Sequence, residues 1–460
     1  MFLHAWSEGC DALYGITMFL KRLLCLIAIL SASVAHAASF DLSSKVVAYR
    51  LPNGMTWFLV PRPEVPVFSA IVMVKVGGVD EPANKTGLAH MFEHMAFKGS
   101  KTIGTKGDNE VWSIFNRNGA GDLNAFTSKD FTAYHASMPA AKLPLWLYMN
   151  SEMILHPVMR QFYQERDVVM EERRMRYDNS PMGFLLEQFT ELAFPEGPYH
   201  WSPIGDPADL KTLTEEDAYA FHQKFYQPDR MVGAIVGDFD VDAVKKEIAK
   251  YWNSGENTAI SKFKIQNSNS KISGEARKTI QFDAEPFLLM GFHKPAVPQR
   301  GDYQFDIFQG LLCNGRTARL EQSLVQQKHL ATQVSCSNGY PGSRMDNLFI
   351  IGAAPAKGIS LATLEAAVES ELGRLTRDIA PEELTKVRKQ IQADFYRNLQ
   401  DNGELAEQLA TTQTLTGDWN YLIQYSKVIA SITVSELQKA AAHYFQPTNR
   451  VVVYRERGKK

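Results

Sequence analysis

The spacing of hydrophobic and polar residues alternates between two periods along the chain, which is typical of a protein with both helices and strands. In the first half, apolar alternation and short apolar runs predict strands at 46–51, 55–60, 67–76, 231–238 and, as two short strands around a polar turn, 122–135. A period near 3.6 residues predicts helices at 109–118, 141–155, 215–226 and 241–252, and a long helix from about Met159. The pattern in this half therefore predicts a unit of the α+β class.

The second half predicts the same kind of unit. Strands are expected at 278–282, 286–292, 331–337, 346–354 and 451–454, and helices at 303–313, 361–377, 382–399, 403–416 and 434–444. The order of elements repeats that of the first half. We predict the fold class α+β, with two homologous α/β-sandwich units in tandem, each an antiparallel-rich sheet covered by helices.

A polar stretch that is short of apolar residues separates the two halves and predicts a linker. The expected organisation is an N-terminal extension and signal peptide at 1–37, a first domain at 38–252, the linker at 253–272 and a second domain at 273–460. A chain of 460 residues is too long for one ordinary core, which agrees with this division.

The segment from Met18 to Ala37 has the pattern of a signal peptide. Lys21 and Arg22 precede a short apolar core, and an Ala-His-Ala cleavage site ends it. The apolar run is shorter than the roughly 20 residues of a membrane-spanning helix, so a cleaved signal is favoured over an anchor. Export to the periplasm or outside the cell is therefore expected, with Met18 as the true start and no membrane span after cleavage.

Composition gives no support for some classes of partner and does not decide whether the cysteines form a disulfide. The formal net charge is only −2, which gives no indication of a nucleic-acid or anionic-membrane partner. Cleavage would leave Cys313 and Cys336 as an even pair in an exported chain. They can form a disulfide or remain two buried thiols, and the sequence does not decide between these states.

The chemistry of the chain centres on His90, Glu93 and His94, which have H-x-x-E-H spacing. On a helix, His94 lies about 40° from His90 and Glu93 about 60° the other way, so all three project from one face. Two imidazoles at i, i+4 suit tetrahedral zinc, and the glutamate between them can take a proton from water. We expect a helix opened by Asn84 or Thr86 as its cap and ended near Gly99.

A third ligand is expected from the acidic helix downstream. Glu165 and Glu172 are seven residues apart and share one helix face, so either can reach a metal. Glu171 points about 100° away from Glu172, so only one of these two should bind. A charged run of this kind is ordinarily a solvent-exposed helix face with i, i+4 ion pairs. Here the upstream H-x-x-E-H motif still needs a third ligand, which favours metal binding by one of these glutamates.

Five stretches together resemble one family. They are His90–Gly99, Gly121–Ser128, Glu165–Glu172, Pro198–His200 with Ile204–Gly205, and Phe225–Pro228 with Val236–Asp238. The chain resembles the inverted-zincin peptidases of the pitrilysin, insulysin and mitochondrial processing peptidase family over nearly all of its mature length. It is most similar to the bacterial single-site members.

The resemblance implies a role for each residue of the motif. His90 and His94 bind one zinc ion per chain, Glu93 is the general base, and Glu172 is the third ligand, with Glu171 the less favoured choice. Glu165, seven positions before the ligand, is the second catalytic carboxylate and supports the site.

The resemblance also implies an enzyme that accepts many sequences. The stretch of Asn124, Ala125 and Thr127 matches an edge strand that holds an extended peptide through main-chain hydrogen bonds. Family members enclose their substrates in a chamber formed by two double units, so unfolded peptides are the expected substrates of this zinc endopeptidase.

One departure from the family concerns the partner. Active members carry an arginine and a tyrosine that hold the substrate near zinc, and these positions align with Val325 and Thr332, which cannot do so. We therefore expect a heterodimer with a related exported subunit that supplies the pair. The alternative is an alignment shifted by a few residues, with Lys328 or Arg316 compensating in an active homodimer.

Two other functions stay open at the level of sequence. The family includes non-catalytic structural or binding subunits, although those typically lose the motif that is intact here. Zinc-dependent hydrolysis of a non-peptide also fits the residues. The intact motif behind a signal peptide favours the zinc endopeptidase.

Overall fold

The computed structural model describes residues 42–107, 110–254 and 274–458. The predicted signal peptide and nearly all of the predicted linker lie outside these ranges. The chain divides into two compact units, Met1–Val46 and Val47–Lys460, and every element below belongs to the second unit. Within the described ranges, no helix is both long enough and apolar enough to cross a membrane.

The first half contains six strands and eight α-helices among its described residues. The strands are β1 Val47–Arg50, β2 Thr56–Pro61, β3 Val67–Val74, β4 Gly121–Thr127, β5 Thr132–Pro139 and β6 Met231–Gly237. The helices are α1 Leu88–Ala96, α2 Glu110–Arg117, α3 Leu143–Leu155, α4 Phe162–Arg173, α5 Pro181–Ala193, α6 Pro207–Thr212, α7 Glu215–Phe225 and α8 Val241–Trp252. A π-helical turn, Arg174–Asp178, follows α4 directly.

The strands of the first half form one sheet in the order β1-β2-β6-β3-β5-β4. Only β2 and β6 run parallel, and all other neighbours are antiparallel. The sheet order ends at β4, so the predicted peptide-binding strand is an edge strand. Its outer backbone groups have no strand partner among the described residues.

Among its described residues, the second half repeats this arrangement with five strands. They are β7 Ala276–Phe282, β8 Phe287–Lys294, β9 Ala331–Tyr340, β10 Asn347–Pro355 and β11 Arg450–Arg457. The helices are α9 Arg300–Leu312, α10 Leu361–Leu375, α11 Pro381–Asn398, α12 Asn402–Thr416, α13 Asn420–Ser431 and α14 Val434–Tyr444, and a π-helical turn spans Glu321–Gln327.

The second sheet has the order β7-β11-β8-β10-β9, in which only β7 and β11 are parallel. The last strand of each half therefore inserts between two earlier ones, parallel to one and antiparallel to the other. This shared pattern confirms the predicted α+β fold with two tandem units.

The two halves exchange a helix. Helix α5 of the first half packs on β7 and β11, and α12 of the second half packs on β3 and β6. Phe189 of α5 lies directly over Gly291 of β8, where a Cβ atom would come within 2.5 Å of the ring. These contacts bury the second face of each sheet and join the halves into one unit.

The sequence pattern did not predict α5, α6 or α13. The start of α5 carries a recognisable signal, because Ser180 accepts a hydrogen bond from Gly183 N and Pro181 occupies the first turn. The remaining predicted helices match within a few residues, and α8 and α14 have the predicted bounds.

Cys313 and Cys336 are joined in a disulfide, which settles the choice that the sequence left open. Their Cα atoms are 5.7 Å apart, a normal separation for such a bond. The bond ties the end of α9 to the edge strand β9. In the chain-entropy view, closing a loop of this size stabilises the fold by about 3 kcal/mol.

Candidate metal centre

Helices α1 and α4 bring three metal-binding side chains together. His90 Nε2 lies 3.7 Å and His94 Nε2 lies 3.3 Å from Glu172 Oε2. The three candidate ligand atoms all lie within 4.8 Å of one another. Tetrahedral ligands about 2.1 Å from zinc are roughly 3.4 Å apart, so the donor set and its spacing fit zinc.

The metal-binding face of α1 is held rigidly by the opposite side of the helix. Leu88, Met91, Phe92 and Met95 are fully buried in the core of the first half. The ring of Phe92 packs 4.2 Å from that of Tyr226, between centroids. The two histidines therefore project from a helix that cannot rotate without breaking the core.

His90 is held in the neutral form that a metal ligand needs. Burial, and then the neighbouring charge of His94, lowers the pKa of His90 to about 3. Its Nδ1 atom is buried and has no hydrogen-bond partner among the described residues. A neutral imidazole whose other nitrogen faces two possible co-ligands is suited to binding a metal.

His94 has a carboxylate partner on its second nitrogen. Its Nδ1 lies 2.9 Å from Glu165 Oε1, and Lys98 Nζ lies 2.5 Å from Glu165 Oε2. Burial alone would lower the pKa of His94, but the hydrogen bonds to Glu165 and Glu172 raise it to about 9. A metal ion at Nε2 would replace one proton, while Glu165 holds the other and fixes the orientation of the ring.

The structure distinguishes Glu172 from its neighbour Glu171. Glu172 faces the histidines, and its hydrogen bond with His94 is the main cause that lowers its pKa to about 2. Glu171 is 53% exposed and pairs with Arg174 on the outer face of the helix. Of these two neighbours, Glu172 is the one whose carboxylate lies close enough to His90 and His94 to share a metal with them.

Glu93 lies beside the three ligands without joining them. Its carboxylate is buried and accepts a hydrogen bond of 2.7 Å from the hydroxyl of Thr127. Burial raises the pKa of Glu93 above its ordinary value, although the Thr127 hydrogen bond opposes this. A carboxylate with a raised pKa next to a metal position has the properties of a general base.

The edge strand β4 passes along the same cavity, which has a volume of about 540 Å³. Asn124, Ala125 and Thr127 all line it, together with the metal-binding residues. The Asn124 side chain accepts a hydrogen bond of 2.9 Å from the Ala125 amide. Thr127 thus connects the predicted peptide-binding strand to the predicted base through one hydrogen bond.

The sequence prediction of the helix cap was wrong. Gly87 is the cap residue, and the Glu81 carboxylate accepts hydrogen bonds from Gly87 N and Ala89 N at 3.0 and 2.8 Å. Thr86 instead bonds Asp209. Burial raises the pKa of Glu81 to about 8. Helix-start patterns consider only the residues next to the first turn. They could not indicate that Glu81, six residues before Gly87, would bond the amides of α1, because the chain must fold back to bring it there.

Lys98 and Arg176 were also missed as parts of the site. Lys98 contacts Glu165, and Arg176 contacts Glu172 at 2.8 Å. Each lies four residues after a predicted site residue, His94 or Glu172 respectively. For Arg176, the i, i+4 spacing from Glu172 was the available signal, whereas Lys98 contacts Glu165 of a different helix, which no local spacing indicates.

The fold and the arrangement of these residues define a peptidase-like protein of the zinc-protease class. Residues 59–205 match the family model described as Insulinase (Peptidase family M16), and residues 212–391 match Peptidase M16 inactive domain. The chain is 31% identical over 444 residues to the zinc protease PqqE of Helicobacter pylori, covering 94% of this chain and 98% of that protein. This chain belongs to peptidase family M16.

Solved structures show the same fold. A protease from Helicobacter pylori superimposes with a TM-score of 0.82 and 29% identity, over 90% of this chain and 99% of that one. The periplasmic protease PqqL from Escherichia coli superimposes with a TM-score of 0.73 and 19% identity, over 89% of this chain and 47% of that chain. The latter similarity shows the fold alone.

Proposed function

We propose that this chain is a zinc endopeptidase that hydrolyses unfolded peptides held in extended form along β4. The observation that carries the proposal is the convergence of His90, His94, Glu172 and Glu93 on one cavity, with an edge strand along its wall. All four residues lie within 59–205, the part that matches the insulinase description. The inactive-domain description applies to 212–391, outside this set.

The residues suggest how the reaction would proceed. A zinc ion held by His90, His94 and Glu172 would act as a Lewis acid and lower the pKa of water toward about 7. Glu93 would take the proton of the attacking water and pass it to the leaving amine. Thr127 would orient the Glu93 carboxylate, and Glu165 would orient His94.

Binding of the substrate along the edge strand supports cleavage of peptides with many different sequences. The outer N–H and C=O groups of β4 can pair with the main chain of any extended peptide. A folded protein cannot present its main chain in this way, because its backbone groups are already paired. We therefore propose unfolded polypeptides, rather than folded proteins or non-peptide molecules, as substrates.

We also propose that the protein works after export, in the periplasm. The signal-peptide pattern at 18–37 and the disulfide between Cys313 and Cys336 support this location, since such bonds persist in oxidising compartments. In this view residues 1–17 and the signal are absent from the mature enzyme. The segment 38–252 is the catalytic domain, 253–272 the linker and 273–460 the second domain.

The proposed function has a direct test. We expect the purified chain to retain one zinc ion and to cleave a quenched peptide with measurable turnover that a chelator abolishes and added zinc restores. An unfolded protein should be degraded, whereas its folded form should resist. Stable zinc binding without cleavage, alone or with a related subunit present, would favour the non-catalytic alternative instead.

We propose further that a related subunit completes the substrate site. In the structure, the side chain of Val325 packs against the second-half core, and Thr332 is exposed and donates to Ala354 O. Lys328 lies 3.6 Å from Glu371, and Arg319 forms two hydrogen bonds with Glu383. These contacts pair Lys328 and Arg319 with carboxylates of the same chain, whereas Arg316, the other cation that could compensate, is exposed.

The partner proposal predicts a change in rate on mixing. The purified chain alone should cleave unfolded peptides poorly, and its turnover should rise at least about tenfold with a related exported subunit that carries the arginine and tyrosine. The activity of the mixture should fall again when that arginine is replaced. Robust turnover by this chain alone, at a rate that the second subunit does not change, would contradict the heterodimer.

A further inference from the structure

Arg176 contacts Glu172 from the side opposite to the histidines. Its guanidinium nitrogen lies 2.8 Å from Glu172 Oε1, whereas Glu172 Oε2 faces His94 Nε2 at 3.3 Å. The two oxygens of this carboxylate therefore have different partners. Arg176 also lines the cavity that contains Glu93.

The backbone that carries Arg176 is itself held in place. Arg176 lies on the π-helical turn Arg174–Asp178, which continues α4 beyond Glu172. Buried Arg173, just before the turn, bonds Glu187 at 2.7 Å and lies 5.4 Å from the ring of Tyr177. Single π-helical turns are frequent at functional sites.

We propose that Arg176 is a positioning residue that makes Glu172 a one-oxygen metal ligand. This inference rests on the proposed function, because it requires zinc at His90, His94 and Glu172. A carboxylate can bind a metal through one oxygen or through both. With Oε1 bonded to Arg176, only Oε2 is directed at the metal, and a coordination position stays open for water and substrate, as a catalytic zinc site requires.

Arg176 has two opposing effects on metal affinity, and the exposure of the two side chains shows which effect is larger. Its positive charge repels a metal cation, but the side chain is 65% exposed, so water and salt screen that repulsion. Its charge-assisted hydrogen bond fixes the orientation of a ligand that is only 16% exposed. Partners of this kind typically change metal affinity by about 10- to 100-fold, so orientation outweighs repulsion.

The chain provides a matched control for this proposal. Arg174 lies on the same turn, is 54% exposed and forms an ion pair with Glu171, which points away from the site. Replacing Arg174 by Gln removes the same charge from the same turn without touching Glu172. The full chain, the Arg174→Gln variant and the Arg176→Gln variant can therefore be compared directly.

The experiment measures zinc release to a chelator and the visible absorption of the cobalt(II)-loaded proteins. We expect Arg176→Gln to release zinc about tenfold faster, because Glu172 loses the hydrogen bond that fixes its orientation. The same variant should show the weaker absorption of five-coordinate cobalt, because Glu172 is then free to bind through both oxygens. The parent chain and Arg174→Gln should share slow release and the intense absorption of four-coordinate cobalt.

Each result has a distinct meaning. Equal release rates and equal spectra in all three proteins would overturn the role of Arg176 while leaving the zinc site intact. A similar change in both variants would assign the effect to net charge and would also overturn it. If the parent chain bound neither zinc nor cobalt, that result would contradict the proposed function itself.

Discussion

The Glu93→Gln variant is expected to keep its zinc and to lose about 10³-fold in kcat on a quenched peptide. The amide has the size of the carboxylate and can still accept the hydrogen bond from Thr127, so the fold and the metal site should be preserved. It cannot take a proton from the attacking water. The loss should therefore appear in kcat far more than in zinc content.

The structure shows why a neighbouring carboxylate should not rescue this variant. Glu165 is bonded to His94 and Lys98, and Glu172 is bonded to Arg176 and faces both histidines. Zinc content, thermal unfolding and single-turnover rates of the variant and the parent should be measured together. Undiminished turnover by a zinc-loaded Glu93→Gln protein would rule out Glu93 as the base.

Loss of a metal ligand should have the second large effect. Structural zinc sites in zinc-finger peptides bind the metal with about 10–16 kcal/mol through four protein ligands, so one ligand contributes about 3 kcal/mol, or roughly 100-fold in affinity. His90→Ala and His94→Ala should therefore lose zinc during purification, and activity with it. His90 has no second-nitrogen partner among the described residues, so its removal should disturb the fold least.

Glu172→Gln and Glu171→Gln form a matched pair within this prediction. Both remove one negative charge from adjacent positions of α4, but only Glu172 faces the histidines. We expect zinc affinity to fall roughly 100-fold for Glu172→Gln and to remain unchanged for Glu171→Gln. If Glu171→Gln proves the more damaging change in a chelator competition, the ligand assignment is wrong by one residue.

Local geometry explains which parts of the fold could be predicted. The residues at i, i+3 and i+4 of one helix share a face in any protein, so His90, Glu93 and His94 were grouped from spacing alone. Asp240 and Thr433 accept hydrogen bonds from backbone amides in the first turns of α8 and α14, and these helices have the predicted bounds. The sequence identified Cys313 and Cys336 as possible disulfide partners, but only the structure, in which their Cα atoms are 5.7 Å apart, shows that they are bonded.

The exchange of helices between the halves could not be predicted. The apolar side chains of α12 indicate that one face is buried, but they do not state which surface covers it. In the structure, α12 covers the first sheet and α5 covers the second, so each half completes the core of the other. The domain boundaries read from composition divide the chain but give no indication of this exchange.

The sequence by itself determined the α+β class, the tandem arrangement and the pairing of two histidines with a glutamate on one helix, because each follows from short-range periodicity. The tertiary structure decided the rest of the site. It placed Glu172 rather than Glu171 opposite the histidines, gave α1 its cap from Glu81 and brought Thr127 within 2.7 Å of Glu93. These contacts join residues that are distant in sequence or lie outside helical spacing, and only the packing of α1, α4 and β4 in one core fixes their direction.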